Sequence, residues 1–268
     1  MSFSIQCAAN NVWYGTFAHF NSVGICHGFA TRIGGLSEAP FYSLNVGLRS
    51  GDDSKKVVAN RERLFQALGI AAGTVVSGQQ VHGDTVAVVT ERAMGRGALN
   101  CDGLPGTDAL VTNAAGVALM IFFADCVPVL FVDPKRRAIG ACHAGWRGTA
   151  ASLAAKTVLA MQQHFGTEPG DCLVGIGPSI GQCCYEVDEP VIACYREAFS
   201  WWEDVAIPHG SNWRLDLRQA NCQQLEDIGV HKQNIVLSNV CTACNTPLFY
   251  SYRAEHGKTG VLAAVIRL

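Results

Sequence analysis

The sequence predicts one domain of the mixed α/β class that extends over residues 1–268. Some segments show the apolar spacing of amphipathic helices, whereas several short segments are apolar at nearly every position, as expected of strands buried on both faces. No linker, internal repeat or low-complexity stretch divides the chain. At 268 residues, such a domain is long enough to bury a substantial hydrophobic core.

The amino-acid composition argues against several classes of function. About half of the residues (49%) are apolar and 16% are charged, which is typical of a compact globular protein. The net charge of −2 and the lack of a basic block argue against binding to nucleic acids or anionic membranes. The longest apolar run is too short to span a bilayer, and the first residues do not have the pattern of a secretory leader. We therefore expect a cytoplasmic protein whose twelve cysteines are mostly reduced.

The N-terminal part combines strands with one clear helix. Short apolar runs predict strands within residues 12–30. Apolar positions at helical spacing predict a helix that begins at Asp52 or Asp53 and ends at Gly69. Residues 74–90 predict two strands separated by glycines, which puts the histidine between them in a loop or at a strand end.

The rest of the chain alternates buried strands, helices and glycine-rich loops. Further strands are predicted at residues 108–112, 117–124, 127–132, 137–143, 172–177 and 261–268. Further helices are predicted at residues 149–165, 189–199 and 214–228. Loops rich in glycine are predicted at residues 31–47, 91–107 and 177–190.

Two of these strands form a hairpin that brings a thiol and an imidazole together. Proline presets the backbone angle of the second position of a type I turn, so Asp133–Arg136 is predicted as the turn. If Pro134 and Lys135 are its central residues, Cys126 lies directly opposite His143. Their Cβ atoms would then be about 4.5–5.5 Å apart, close enough to share one metal ion or to form a thiolate–imidazole pair.

Two segments are candidates for binding an anion. The GWRG sequence that contains Arg147 precedes the predicted helix 149–165, whose free N–H groups could hold an anion. The loop 31–47 could surround an anion with backbone and side-chain donors. The donors in this loop are Arg32, Ser37 and Asn45. Taken alone, this loop is better interpreted as a long surface turn.

Three interpretations of Cys126 and His143 remain open from the residues alone. The pair could ligate a catalytic zinc ion, which needs a third protein ligand and an open position. Cys126 could instead be a nucleophile that His143 activates, as in a cysteine hydrolase. In the third interpretation both are ordinary core residues. The candidates for a third metal ligand are His19, His27, His82, His164, His209, His231 and His256.

The other cysteine motifs and serine motifs carry less information. Cys241 and Cys244 have the spacing of half a zinc ribbon or of a redox motif, but both need support from elsewhere. Cys183 and Cys184 are adjacent, and we interpret all four as reduced structural cysteines. Ser179 lies in GPSIG, which departs from the nucleophile elbow pattern.

Several motifs together resemble a known family. The sequences QQVHG, TDALVT, ADCVPVLF and CHAGWRGT resemble the YfiH-like, multicopper-oxidase-type laccase-domain proteins, and TRIGGLSEAPFYSLN, GPSIGQCCYEV and FYSYR with GKTG extend the similarity over nearly the whole chain. The resemblance implies a layered α/β sandwich of mixed sheets with its site in a surface cleft. It also implies that His82 is the third ligand, so that His82, Cys126 and His143 are both the metal ligands and the catalytic residues.

The implied activity is zinc-dependent purine nucleoside phosphorolysis, with adenosine deamination alongside. The implied substrates are phosphate with adenosine, inosine, guanosine or methylthioadenosine. We expect Arg32, Ser37, Asn45 and Arg147 to bind substrate or phosphate. A cysteine hydrolase and a copper-dependent polyphenol oxidase are the alternatives, and copper could also bind adventitiously because it competes well at nitrogen and sulfur ligands. Eight histidines without paired spacing are few for the several coppers of a laccase.

Overall fold

The computed structural model describes residues 2–268. The strands are β1 (Phe3–Cys7), β2 (Trp13–Phe17), β3 (Cys26–Ala30), β4 (Val75–Ser77), β5 (Val86–Val88), β6 (Ala109–Thr112), β7 (Ala118–Phe123), β8 (Val127–Asp133), β9 (Ala138–Ala144), β10 (Leu173–Ile176), β11 (Glu186–Val187), β12 (Ala206–His209), β13 (Asn212–Leu215), β14 (Ile235–Leu237) and β15 (Leu262–Arg267). The helices are α1 (Ala18–Asn21), α2 (Ser54–Leu68), α3 (Trp146–Ala150), α4 (Leu153–Phe165), α5 (Glu189–Ala198), α6 (Trp202–Val205) and α7 (Leu217–Asp227).

The strands form two six-stranded mixed sheets and one small sheet. The first sheet has the order β1-β2-β3-β15-β7-β4, and the second has the order β14-β10-β8-β9-β6-β5. Both contain antiparallel pairs and one or more parallel pairs, such as β4 with β7 and β5 with β6. The small sheet has the order β11-β13-β12. The predicted mixed α/β class is confirmed.

Alternating side chains divide the core into three parts. Leu119 and Ile121 of β7 pack between the two sheets with Leu130 of β8, whereas Ala118 and Met120 of β7 face the opposite side and pack under α2. The outer face of the second sheet packs against α4, α5 and α7. The result is a sandwich of helix, sheet, sheet and helices in which the central strands are apolar on both faces, as their sequences predicted.

The predicted hairpin exists, but its predicted register is wrong. Asp133 pairs with Ala138, so four residues form the loop instead of two, and His143 pairs with Pro128. Arg137 adopts a left-handed conformation (φ 50°), and the Asp133 carboxylate accepts two backbone N–H bonds in the loop. The longer loop shifts the pairing by two residues, which keeps Cys126 and His143 on the same face but puts Cys126 just before β8.

Other boundaries also differ. The helix predicted at 149–165 is two helices, because the backbone turns left-handed at Ser152 (φ 59°) between α3 and α4. Strand β1 and the β12–β13 hairpin were not predicted. Helix α2 is confirmed, with Asp53 as its N-cap and Gly69 as its left-handed C-cap. No helix within residues 2–268 is long and apolar enough to cross a membrane.

Candidate metal centre

Three side chains converge where the chain passes between the two large sheets. His82 lies on the connection from β4 to β5, Cys126 lies between β7 and β8, and His143 is near the end of β9. One nitrogen of each histidine and the Cys126 sulfur all lie within 4.8 Å of one another. The two imidazole rings are almost perpendicular, with centroids 4.9 Å apart. This geometry brings together two nitrogen donors and one sulfur donor around a single point.

Asp108, directly before β6, holds two of these three residues in place. Its carboxylate accepts backbone N–H bonds from Val81, His82 and Gly83 at 2.9–3.0 Å, which folds the loop around His82. The same carboxylate bonds Nδ1 of His143 at 3.0 Å, so that Nε2 of His143 is left to act as a ligand. No motif or spacing in the sequence predicted this role for Asp108.

The electrostatics favour a thiolate at Cys126. Burial alone raises the pKa of this thiol, but the charge of His143 and hydrogen bonds with His143 and His82 outweigh burial and lower the pKa. For His143, burial opposes the charged form, but Cys126 and Asp108 raise its pKa. A thiolate is the form that binds a metal and also the form that acts as a nucleophile.

Two neighbours shape the space around Cys126. A side chain at Gly145 would place its Cβ 3.0 Å from the Cys126 sulfur and 3.2 Å from Cδ2 of His82, so only glycine leaves this space free. Asp125 is buried in a left-handed conformation (φ 84°) and accepts bonds from Thr242 and from the Arg253 N–H. These bonds hold the turn that carries Cys126.

The cluster opens into a cleft of about 790 Å³. This volume is within the range of pockets that bind small molecules. Aromatic side chains and arginines both line it. The aromatic residues are Phe122, Phe123, Trp146, Tyr185 and Tyr252, and the arginines are Arg49, Arg61, Arg147 and Arg253.

Arg61 has a buried charge that no carboxylate within residues 2–268 neutralises. Its Nε and Nη1 donate to backbone carbonyls, including Val46 and Gly97, and its guanidinium stacks on the Phe122 ring at 4.6 Å. Burial lowers the pKa of Arg61 to about 10, so the side chain still carries its charge at neutral pH. A positive group that is held rigidly at a cleft without a counter-charge is suited to bind an anion.

The four residues predicted to bind phosphate have different positions. Arg147 lines the cleft and stacks on the Trp146 ring at 4.2 Å. Arg32 pairs with Glu255 and donates to the Tyr42 and Thr246 carbonyls, and it is not among the residues that line the cleft. The Ser37 hydroxyl accepts a bond from Asn60 of α2. The Asn45 side chain donates to Ser50 and Asp52, which precede α2, and accepts the Val261 N–H. The structure therefore brings only Arg147 to the cluster's cleft.

His82 lies beside Cys126 and His143, whereas the other candidate histidines lie elsewhere. His19 and His27 are buried in the first half of the chain and bond backbone groups of Val174, Phe17 and Ile25. The remaining candidates are His164, His209, His231 and His256, each exposed on the surface. The position of His82 agrees with the ligand set implied by the resemblance.

The layered sandwich and the His82–Cys126–His143 cluster together define the class of this protein. The chain belongs to the family described as multi-copper polyphenol oxidoreductase laccase, whose model matches residues 26–268. The resemblance found in the sequence is therefore confirmed.

Individual relatives carry a different description. The chain is 41% identical to the purine nucleoside phosphorylase YlmD of Geobacillus stearothermophilus, over 91% of this chain and 90% of the relative. It is 40% identical to a purine nucleoside phosphorylase of Deinococcus radiodurans, over 92% and 90% of the two chains. The crystal structure of the hypothetical protein YfiH from Bacillus licheniformis is similar with a TM-score of 0.93 at 36% identity, and it covers 98% of both chains.

Proposed function

We propose that this protein is a zinc-dependent purine nucleoside phosphorylase. In this reaction phosphate attacks C1′ of the ribose, the glycosidic bond breaks, and the base leaves with the bonding electrons. The observation that carries the proposal is that one cleft contains the His82–Cys126–His143 cluster, aromatic faces and the unneutralised charge of Arg61. The relatives named purine nucleoside phosphorylase support the same reaction.

The donor set fits zinc. Two imidazoles and one thiolate are borderline and soft ligands, and three protein ligands with one free position are typical of catalytic zinc. When bound, zinc would supply a Lewis acid that polarises an oxygen or nitrogen of the substrate. The Asp108 hydrogen bond to His143 is the kind of outer contact that fixes a ligand histidine.

Within this proposal, the aromatic side chains hold the purine and the arginines hold the phosphate. Trp146, Tyr185 and Tyr252 offer flat apolar faces on which a base can stack. Arg61 and Arg147 can bond phosphate oxygens and stabilise the charge that develops during transfer. Arg61 needs little ordering to do so, because its backbone bonds already fix the guanidinium.

A copper-dependent polyphenol oxidase is supported less well by the donors. A laccase requires a blue copper site and a trinuclear cluster rich in histidine. The described residues, 2–268, gather two of the eight histidines at the centre and do not assemble a further group of histidines. The centre could bind one copper ion in place of zinc, because copper competes well for these ligands.

A cysteine hydrolase is the second candidate, and one observation favours it. Cys126, His143 and Asp108 form a thiol–imidazole–carboxylate series in which the carboxylate orients the imidazole. The two candidates differ in their dependence on metal. In the phosphorylase, Cys126→Ser loses metal and activity together, whereas in the hydrolase the activity does not follow the metal content.

Product analysis tests the proposed reaction and its deaminase side activity. The metal-analysed protein is incubated with inosine and with adenosine, with and without phosphate, and the products are separated by chromatography. We expect free base and ribose 1-phosphate only when phosphate is present. We also expect inosine from adenosine without phosphate, which would show the proposed deamination. Turnover of neither nucleoside by zinc-loaded protein would contradict the proposal.

The phosphate site is tested by comparing two arginines. We expect Arg61→Lys to raise the KM for phosphate by at least about tenfold, since a charge-assisted bond contributes roughly 1.5–3 kcal/mol, with a smaller effect on the KM for nucleoside. Arg32→Lys is the matched variant outside the cleft, and we expect it to leave the KM for phosphate unchanged. The reverse result would favour the sequence-based prediction that Arg32, with Ser37 and Asn45, binds phosphate.

A further inference from the structure

A second group of sulfur atoms lies outside the cleft described above. Cys183 and Cys184 are on the connection from β10 to β11, and Cys241 and Cys244 are on the connection from β14 to β15. All four sulfur atoms lie within 4.8 Å of one another, although the two pairs are about 60 residues apart in the chain. Each of the four is a free thiol.

We propose that these four cysteines form a structural metal site that binds Zn²⁺ through four thiolates. Four sulfur atoms placed about 2.3 Å from one zinc ion in a tetrahedron are about 3.8 Å apart. The Cys244 sulfur is 3.6 Å from that of Cys183 and 3.4 Å from that of Cys184, so only small shifts are needed. The C-x₂-C spacing of Cys241 and Cys244 is itself typical of one half of such a site.

The surroundings of Cys241 also suit a ligand. The residue is 8% exposed, and its sulfur accepts the backbone N–H of Gly181 at 3.2 Å. Backbone N–H bonds to sulfur stabilise a thiolate and are common around metal-bound cysteines. Cys183 and Cys244 are at the surface, which leaves an open route by which an ion can enter.

The site would join two irregular loops that border the catalytic cleft. Their backbones are joined by a short bridge between Ser179 and Cys241. At this bridge the Ser179 N–H donates to the Val240 carbonyl, and the Thr242 N–H donates to the Ser179 carbonyl. Both loops also hold Asp125: the Ile180 N–H donates to its carbonyl at 2.9 Å, and the Thr242 hydroxyl donates to its carboxylate at 2.6 Å. Asp125 directly precedes Cys126. An ion at the four cysteines would therefore stabilise the two loops that hold the turn carrying Cys126.

Metal counting tests the site without any measurement of turnover, so its failure is distinguishable from failure of the proposed function. The protein is purified with reductant from zinc-supplemented cells, and zinc is measured per chain by mass spectrometry. We expect two zinc ions in the wild type, one in Cys126→Ser, one in the Cys241→Ser/Cys244→Ser double variant, and none when all three changes are combined. Cys7→Ser and Cys194→Ser, which change exposed cysteines outside both clusters, should each retain two.

X-ray absorption on the Cys126→Ser variant tests the site even if the double variant does not fold. In Cys126→Ser, the remaining zinc is examined by X-ray absorption, and we expect sulfur ligands alone at about 2.3 Å. Nitrogen or oxygen ligands to that ion would overturn the proposal. So would folded Cys126→Ser protein that contains no zinc, or a disulfide between these cysteines in protein kept with reductant.

Discussion

The carboxylate of Asp108 accepts four hydrogen bonds, three from backbone N–H groups around His82 and one from His143. It therefore connects the two histidines of the cluster, which are 61 positions apart in the chain. Sequence spacing indicated Cys126 and His143 because they lie on one hairpin. His82 was identified only through the family resemblance, since its loop is brought to the hairpin by contacts that spacing does not encode. The role of Asp108 was not predicted, because a residue that orients a ligand does not follow a characteristic spacing in the sequence.

Asp108→Asn tests this orienting role. The amide keeps the size of the side chain but loses the charge and one of the acceptor oxygens, so His143 and the His82 loop are held less well. We expect the affinity of the centre for zinc to fall by about 10–100-fold, measured by competition with a chromophoric chelator. Asp204→Asn, which changes an exposed aspartate of α6, is the control and should bind zinc as the wild type does. An unchanged affinity in Asp108→Asn would contradict the role.

Gly145→Ala tests the packing of the centre. The added methyl group would lie 3.0 Å from the Cys126 sulfur, closer than most real Cβ contacts, so the sulfur or the backbone must move. We expect weaker zinc binding with little change in the free energy of unfolding of the metal-free protein. Gly73→Ala is the matched control, because its Cβ would meet no atom within 4 Å. Equal zinc affinities for the two variants would show that the space beside Cys126 is not limiting.

At the scale of secondary structure, most of the central strands were predicted because they are continuous apolar runs. Helix α2 was predicted because its apolar positions recur at helical spacing over 15 residues. The hairpin register could not be predicted, since it depends on the left-handed conformation of Arg137 and on the Asp133 side chain. The break at Ser152 was not predicted for a similar reason. The apolar spacing continues through α3 and α4, whereas the helical conformation of the backbone is interrupted at Ser152. The small β12–β13 hairpin has no strong apolar alternation to indicate it.

Strand β3 carries a buried histidine that should make stability depend on pH. Nε2 of His27 accepts the Phe17 N–H at 2.8 Å and Nδ1 bonds the Ile25 carbonyl at 3.1 Å, so the ring must be neutral. Burial lowers its pKa from 6.5 to about 4. As pH falls below 6.5, the unfolded chain takes up a proton that the folded protein does not bind until about pH 4. The folded state therefore loses stability across this window, by up to about 3 kcal/mol.

Urea unfolding at pH 7, 6 and 5 checks this expectation. We expect the free energy of unfolding of the wild type to fall with pH, and His27→Gln, whose amide oxygen can still accept the Phe17 N–H, to show a smaller fall. His164→Gln changes an exposed histidine of α4 and should keep the wild-type slope. Identical slopes in the wild type and in His27→Gln would show that His27 is not the source.

At the scale of the whole molecule, the centre depends on the connections between the two large sheets. The chain passes from the first sheet to the second between β4 and β5 and again between β7 and β8, and these two connections carry His82 and Cys126. Helix α2 packs on the first sheet and adds Arg61 to the same cleft. The sequence predicted the strands but not their pairing, because pairs such as β4 with β7 join distant segments that local pattern cannot connect. The convergence of the four cysteines was missed for the same reason.

The most direct test of the proposed function compares wild-type protein with Cys126→Ser for phosphate-dependent release of hypoxanthine from inosine, with zinc counted in the same samples. We expect the wild type to release hypoxanthine only when phosphate is present. We expect Cys126→Ser to remain folded, to contain one zinc ion fewer and to release none. Hypoxanthine release by Cys126→Ser at the wild-type rate, or its absence in zinc-loaded wild type, would contradict the proposal that this centre performs nucleoside phosphorolysis.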